Sequence, residues 1–312
     1  MNQKLRQGFT FIELLFVIVV MGIVGGIALE AIRQYYEGIY RTQTYTQRVN
    51  EADHILEQLS KYFENAVDLS IVNLDQDEDD GNLDGGECAD PGIEAESGAH
   101  DYTVAFVGVD TDSLHTLGKP GWSEMVQSGF NGISLTSNDA NFTAANEVIG
   151  VIHSGFNLAN SAIYNYEGVV GSCSDFRWDG SAGKHAYYTI TNVDFLLNTL
   201  TTINNAGTSS PKNDRKYLLA TGYAFRVLDT GEFRMYTNFR PWKNEIYTNG
   251  TASTLGENVA SFYADFNNTN SFSDRGSVWR LKVCMRGLDS SLSNSDEALQ
   301  SICRERKVHV RY

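Results

Sequence analysis

Residues 9–29 carry one charged side chain, Glu13, in an otherwise uncharged and mostly apolar run of 21 residues. A helix rises about 1.5 Å per residue, so such a run crosses the ~30 Å hydrocarbon core of a bilayer. The residues ahead of it are polar and include Lys4 and Arg6. Basic residues before a span hold that end in the cytoplasm and send the remainder of the chain outside. A secretory signal would close on a small-residue cleavage site. Here the run continues into an amphipathic pattern, and hydropathy alone describes a signal anchor. Glu13 adds a further constraint. A carboxylate at the centre of a membrane helix costs ~2.5–3.5 kcal/mol, less near its end, and usually has a partner.

The segment Gly8-Phe9-Thr10-Phe11-Ile12-Glu13-Leu14-Leu15 closely resembles the signature of type IV pilins and pseudopilins. That signature is a short basic leader ending in Gly, then Phe, with Glu as the fifth mature residue. The resemblance implies that a prepilin peptidase cuts between Gly8 and Phe9 and N-methylates Phe9. It also implies that Glu13 pairs with the terminal amine of a neighbouring subunit during assembly. An ammonium and a carboxylate attract strongly in hydrocarbon when paired and are costly when alone. Loss of the leader, residues 1–8, removes Lys4 and Arg6 and moves the formal charge from −15 to −17. Many pilins have a proline near the membrane exit, where this chain has Glu30. Gly22, Gly25 and Gly26 offer either local flexibility or close helix packing in its place.

Beyond Glu30 the helical pattern persists. Val49, Ala52, Ile55, Leu56, Leu59, Phe63, Ala66 and Val67 form one stripe at steps of three and four, with Glu51, Asp53, Glu57 and Lys61 largely opposite. The spacing predicts one helix from Phe9 to Val67: a membrane-spanning, assembling part over 9–30 and an amphipathic continuation over 31–67. The fold class expected is α+β, with the long N-terminal helix packed on a mainly antiparallel β-sheet head over 68–312, as in pilins. Within the head, an acidic loop is expected over 73–98. Strands are expected at Tyr102–Val109, Glu147–His153, Ala162–Val170, Tyr187–Ile190, Tyr217–Leu228, Phe233–Phe239, Val259–Phe266, Val278–Met285 and Val308–Arg311. A short helix is expected over Asn192–Asn205. Asp229-Thr230-Gly231-Glu232 reads as a hairpin turn. Trp279, Leu281, Val283 and Met285 alternate with Arg280, Lys282, Cys284 and Arg286, the period of a half-buried strand.

The head is larger than a compact major pilin requires. The order of elements from Tyr223 to Met285 is similar to that of large minor subunits, the J-type pseudopilin of type II secretion or the PilW-type minor pilin. The K-type pseudopilin normally lacks the glutamate present here as Glu13. The four cysteines, Cys88, Cys173, Cys284 and Cys303, suit disulfides outside the cytosol and permit three connectivities. Pilins often carry a bridge near the C-terminus, which favours Cys284 with Cys303 and places Cys88 and Cys173 in the other pair.

Asp80, Asn82, Asp84 and Gly85 fit the first half of a calcium loop. Position twelve of that pattern is Pro91, so Glu87, Asp90 or Glu94 would have to substitute. Calcium is thus a candidate cofactor, with Asp80, Asn82, Asp84 and Glu87 as the ligand set, against the plainer reading of a solvated acidic loop. The six histidines show no metal-ligand spacing. No GxSxG elbow, HExxH or phosphate loop is present, and a non-enzymatic role is expected. A net charge of −15 argues against a nucleic-acid partner. The resemblance implies other partners: pilin or pseudopilin subunits, the prepilin peptidase, the inner-membrane assembly platform and the lipid bilayer. It implies a single-pass inner-membrane protein with a cytoplasmic N-terminus and a periplasmic head. In that setting the resemblance implies that the chain works by noncovalent assembly powered by a separate ATPase, and that its place is a pilus or pseudopilus, at the tip.

Overall fold

The computed structural model describes residues 10–67, 70–75, 102–116, 119–122, 126–128, 133–136, 140–165, 176, 178, 187–197, 199–204, 216–266, 277–287 and 301–310. The chain divides into two compact units, Met1–Asn50 and Glu51–Tyr312. The fold class is α+β: a long apolar N-terminal helix followed by a head rich in antiparallel sheet.

Helix α1 spans Phe11–Glu64, 54 residues. In the first unit its side chains are almost all exposed. Ion pairs and hydrogen bonds at i,i+4 begin only past the apolar run, as in Arg33–Glu37 at 2.9 Å and Gln34 donating to Glu30 at 3.2 Å.

In the second unit the last turns of α1 bury the anticipated stripe: Ala52, Ile55, Leu56, Leu59 and Phe63 are all buried. The helix stops at Glu64, three residues before the predicted end. There the backbone exchanges helical bonds for pairing with strand β2 (Tyr102–Val109). Val67 donates its N–H to the Val107 carbonyl at 2.9 Å, and Val109 donates to the Asn65 carbonyl at 2.8 Å. Carbonyls at a helix end need partners, and the strand supplies them. Buried Ser70 fixes the following turn, donating to the Val67 carbonyl at 2.6 Å and accepting from the Val107 N–H at 2.9 Å.

Among the described residues, ten strands form the larger sheet and every pairing is antiparallel. In spatial order they are β1 (Val72–Asp75), β2, β8 (Lys216–Val227), β5 (Ala162–Asn165), β6 (Tyr187–Asp194), β7 (Thr199–Asn204), β4 (Ile133–Thr136) and β3 (Val126–Ser128). Strand β9 (Phe233–Phe239) pairs with β8, and β10 (Thr251–Gly256) pairs with β9. A second sheet orders β11 (Val259–Phe266), β12 (Ser277–Met285) and β13 (Ile302–Val310). Strand β8 is the hub, with β2 on one edge and both β5 and β9 on the other. Its hairpin to β9 closes as anticipated at Gly231, whose φ of +84° suits glycine.

The strand β2 is buried on both faces, which explains its nearly continuous apolar sequence. Val104 and Phe106 join a core with α1, β8, β9 and the inner face of the second sheet. Ala105, Val107 and Val109 join a second core with Trp122, Phe142, Ile149 and strands β5 and β6. Phe63 sits at the centre of the first core, its ring 4.7 Å from Phe106 and 6.0 Å from Phe225. Trp178 and Trp242 are buried, as expected of core residues.

Several local expectations are corrected. The strand expected at Glu147–His153 belongs to helix α2, Phe142–Ile152. The β-branched residues there mimic a strand, but Phe142, Ala145 and Ile149 are spaced to bury one helical face, and the Asn141 side chain caps the N-terminus from Ala144 N–H. The helix expected over Asn192–Asn205 is the end of β6, a turn and β7. Its threonines favour the extended chain, and Asp194 Oδ1 holds the turn by accepting from the N–H groups of Leu196 and Leu197 at 2.9 and 3.0 Å. Strand β6 continues to Asp194, past the predicted end at Ile190. Strand β5 covers 162–165, and the rest of its predicted span, 166–170, lies outside the described residues. Strand β13 begins at Ile302, before the predicted Val308. It is an edge strand, exposed over 303–307 and rich in charge, so it carries little of the alternation that reveals a strand. Residues 73–75 of the predicted acidic loop lie in β1, and 76–98 lie outside the described residues.

Cys284 and Cys303 face each other across β12 and β13 and are disulfide-bonded, with their Cα atoms 4.0 Å apart. Cys88 and Cys173 lie outside the described residues. Arg304 of β13 reaches Asp53 on α1 at 2.9 Å. Replacing the fully buried Phe63 with alanine (Phe63→Ala) leaves a cavity between helix and sheet, and the expected loss is about 3–5 kcal/mol. Urea unfolding of the full chain in detergent, followed by near-ultraviolet circular dichroism, measures it; an unchanged midpoint would contradict this packing.

Candidate functional site

Two regions bring chemistry-bearing residues together. The first is the start of α1. Thr10 occupies the cap position, and its carbonyl accepts from the N–H groups of Glu13 and Leu14 at 3.1 and 3.2 Å. The Glu13 carboxylate turns back to accept from the Thr10 N–H at 3.4 Å and its hydroxyl at 3.3 Å. This is the glutamate half of a Thr-x-x-Glu cap: the carboxylate satisfies a donor that the first turn leaves free, while the Thr10 hydroxyl donates to that carboxylate and does not accept from the Glu13 N–H. A carboxylate in the first turn also faces the positive end of the helix dipole.

The helix that follows is long and apolar enough to cross a membrane, and none of its most apolar 18-residue window is buried inside the protein. A Cβ added to Gly22, Gly25 or Gly26 would meet nothing within 4 Å, so no contact within the chain requires glycine there. Exposed Tyr35, Tyr36 and Tyr40 follow the apolar run, the placement of aromatic side chains that anchor a helix at a membrane–water interface. Gly8 and Phe9 lie outside the described residues, as do Asp80, Asn82, Asp84 and Glu87. Among the described residues no group of three or more His, Cys, Asp or Glu is placed to hold a metal.

The second region is a cleft of about 450 Å³ in the head, walled by the last turns of α1, the segment after β2, the end of α2 and β8. Asp110 is buried, and its carboxylate accepts from the Ser113 N–H at 3.0 Å and from the Ser113 hydroxyl. Its carbonyl accepts from the Trp122 indole at 2.7 Å, fixing the turn. Burial pushes the Asp110 carboxyl above its ordinary value, opposed by the Ser113 hydrogen bonds and the His153 charge. His153 ends α2, and its Nδ1 lies 2.8 Å from Asn238 Oδ1. Tyr223 lies across Gly108, where a Cβ would approach its ring to 2.5 Å. Burial raises the Tyr223 hydroxyl's pKa, with Tyr62, Asp112 and Asp110 adding to the shift.

Asp110, His153 and Tyr223 are far apart in sequence and follow no motif, so spacing gave no sign of them. Ser113 is fully buried and donates to Asp110. Among the described residues no Ser, Thr or Cys side chain is hydrogen-bonded to His153.

The family model for the prokaryotic N-terminal methylation motif matches residues 3–29. The match supports a type IV pilin-like subunit, anchored in a membrane by its N-terminal apolar helix and processed by a prepilin peptidase, that assembles with other pilin subunits. It points to a structural subunit and away from an enzyme. Comparison with curated proteins and with solved structures gives no match.

The raised Asp110 pKa has a stability consequence. The folded state holds this proton more tightly than the unfolded chain, so the favourable contribution is complete below the unfolded value near 3.8 and is lost as pH rises through the higher folded value. Asp110→Asn removes the buried charge and is expected to be more stable than the parent at pH 7, with the difference closing below pH 3.8. Urea midpoints across that pH range measure it; a gap that widens toward acid would contradict the burial argument.

Proposed function

We propose that this chain is a minor subunit of a type IV pilus or a type II secretion pseudopilus, cut between Gly8 and Phe9 and N-methylated at Phe9. The observation that carries the reading is the methylation motif over residues 3–29 opening a helix whose apolar surface is covered by nothing in its own chain. Lys4 and Arg6 keep the leader cytoplasmic, and the head stands in the periplasm. Lipid covers the helix before assembly, and neighbouring helices cover it in the filament. On assembly Glu13 accepts the terminal ammonium of a neighbour in addition to its Thr10 contacts, and this pairing sets the register between subunits. The assembly platform in the inner membrane receives the processed subunit. The large two-sheet head supports the minor class, of the J or PilW type. The reading of Asp80, Asn82, Asp84 and Glu87 as a calcium site rests on their sequence pattern.

Glu13→Ala tests the assembly role. The variant is expected to insert and to lose its leader as the parent does, yet to enter filaments more than about tenfold less, because the neighbour's ammonium is left buried and unpaired. Immunoblots of sheared filaments and of membranes separate the two steps. Undiminished incorporation would contradict the pairing.

A second reading, a tip subunit that binds a surface, has its own support. Phe195, Leu196 and Leu197 form the turn between β6 and β7, with Leu196 97% and Leu197 73% exposed. Three consecutive exposed apolar side chains are costly unless they serve a contact. The turn is held by Asp194, and neither β6 nor β7 has a Lys or Arg, which suits an apolar surface better than DNA. Replacing both leucines (Leu196→Ser with Leu197→Ser) is expected to change stability by no more than about 0.5 kcal/mol while reducing filament attachment to a hydrophobic surface. Attachment counts equal to the parent's would remove this reading.

A further inference from the structure

Strand β13 runs against β12 in one register, from Val310 opposite Ser277 to Ile302 opposite Met285, with no bulge. Cys284 and Cys303 stand directly opposite each other with Cα atoms 4.0 Å apart. That is the narrow spacing of a pair that exchanges no backbone hydrogen bonds, and pairs of the two kinds alternate along a ladder. Cys303, Glu305, Lys307 and His309 therefore turn their N–H and C=O groups away from β12, to the far edge of the sheet. Among the described residues no strand pairs with that edge. The side chains over 303–307 and at His309 are exposed.

An open edge is a template for another strand, and folds protect one by keeping it short, by proline, by a bulge or by charge. This strand is nine residues long, with neither proline nor bulge, so its protection is charge, and that charge is selective. Arg304, Arg306 and Lys307 outweigh Glu305, in a chain whose formal charge is −15. Two copies of β13 would bring two net-positive strands together, whereas an acidic strand would be attracted. Two of the cations have no acidic partner nearby. Arg304 is ion-paired with Asp53 at 2.9 Å. Arg306 reaches the neutral Ser60 hydroxyl at 3.4 Å, and Lys307 has no ion pair among the described residues. Arg280, opposite Lys307, is ion-paired with Asp265.

We propose that the open edge of β13 takes an added strand from a different polypeptide: an extended acidic segment whose backbone pairs with Glu305, Lys307 and His309 and whose carboxylates meet Arg306 and Lys307. In strand addition the backbone bonds supply affinity and the flanking side chains select the partner. A carboxylate against Arg or Lys adds a charge-assisted contact. The edge belongs to the head alone, so the inference goes beyond the filament assignment and does not depend on it.

The heptapeptide Val-Thr-Val-Glu-Glu-Thr-Thr, with a fluorophore at its N-terminus and an amide at its C-terminus, tests it by anisotropy on the full chain in neutral detergent. Laid antiparallel from Val310, its two glutamates stand opposite Lys307 and Arg306. Saturable binding is expected, with slowed deuterium exchange over 303–309. Glutamine in place of both glutamates is expected to weaken binding at least about tenfold, the worth of a lost charge-assisted contact. N-methylation of the second, fourth and sixth peptide residues, whose N–H groups would face β13, is expected to abolish it. Arg306→Glu with Lys307→Glu is expected to lose the parent peptide and to bind one with lysines in place of the glutamates, which also shows that the variant folds. No saturable binding, or equal binding of the N-methylated peptide, would overturn the proposal. So would displacement of the peptide by glycerol phosphate, which would make the cations a phosphate site. Slow exchange over 303–309 without peptide would overturn it too, and would assign the edge to a second copy if dilution quickened it.

Discussion

The controlling constraint is a helix whose two ends answer to different solvents. From Leu14 to Leu29 α1 carries no charged side chain, and its large apolar side chains are exposed around the whole circumference. From Ala52 to Phe63 only one stripe is apolar, and that stripe is buried. A helix that is apolar all round must be covered by lipid or by other helices, because water cannot solvate it cheaply. The amphipathic end needs only a sheet on one side. One unbroken element thus carries both an anchor and a fixed face of the head core.

The head is organised to receive that face. Strands β2 and β8 form its centre, and Phe106 and Phe225 meet Phe63 from the sheet. The second sheet contributes Trp279, Leu281, Val283 and Met285 to the same core. Strand β13 has little apolar surface of its own, and it is held by full pairing with β12, by the Cys284–Cys303 bond and by the Arg304–Asp53 contact with α1. Closing the roughly 20-residue loop between those cysteines restricts the unfolded chain by about 3 kcal/mol in the chain-entropy account. Directly after the helix ends, the backbone at Asn65–Val67 pairs with β2.

Sequence reasoning recovered the parts governed by strong periodicity. The stripe from Ala52 to Phe63, the alternation in β12 and the turn at Gly231 each impose one local geometry, and the structure adopts it. It failed where local propensity and packing disagree. Val148, Ile149, Val151 and Ile152 favour a strand, yet Asn141 caps the segment and Phe142, Ala145 and Ile149 bury it as a helix. Edge strand β13 is recognised by its partner rather than by its own pattern. At the N-terminus, Glu13 stands out as a charge in an apolar run, and its contact with Thr10 follows from their spacing of three. The cleft was not legible, since residues as far apart as Asp110, His153 and Tyr223 meet only after the sheet has formed.

The central claim is that residues 1–8 are a leader and that the working chain begins at Phe9. Intact-mass spectrometry of the protein purified from membranes of cells with an active prepilin peptidase tests it most directly. The account predicts a chain that begins at Phe9 and carries one N-terminal methyl group. A mass that retains Met1 through Gly8 in those cells would contradict the account and leave the apolar helix as an ordinary signal anchor.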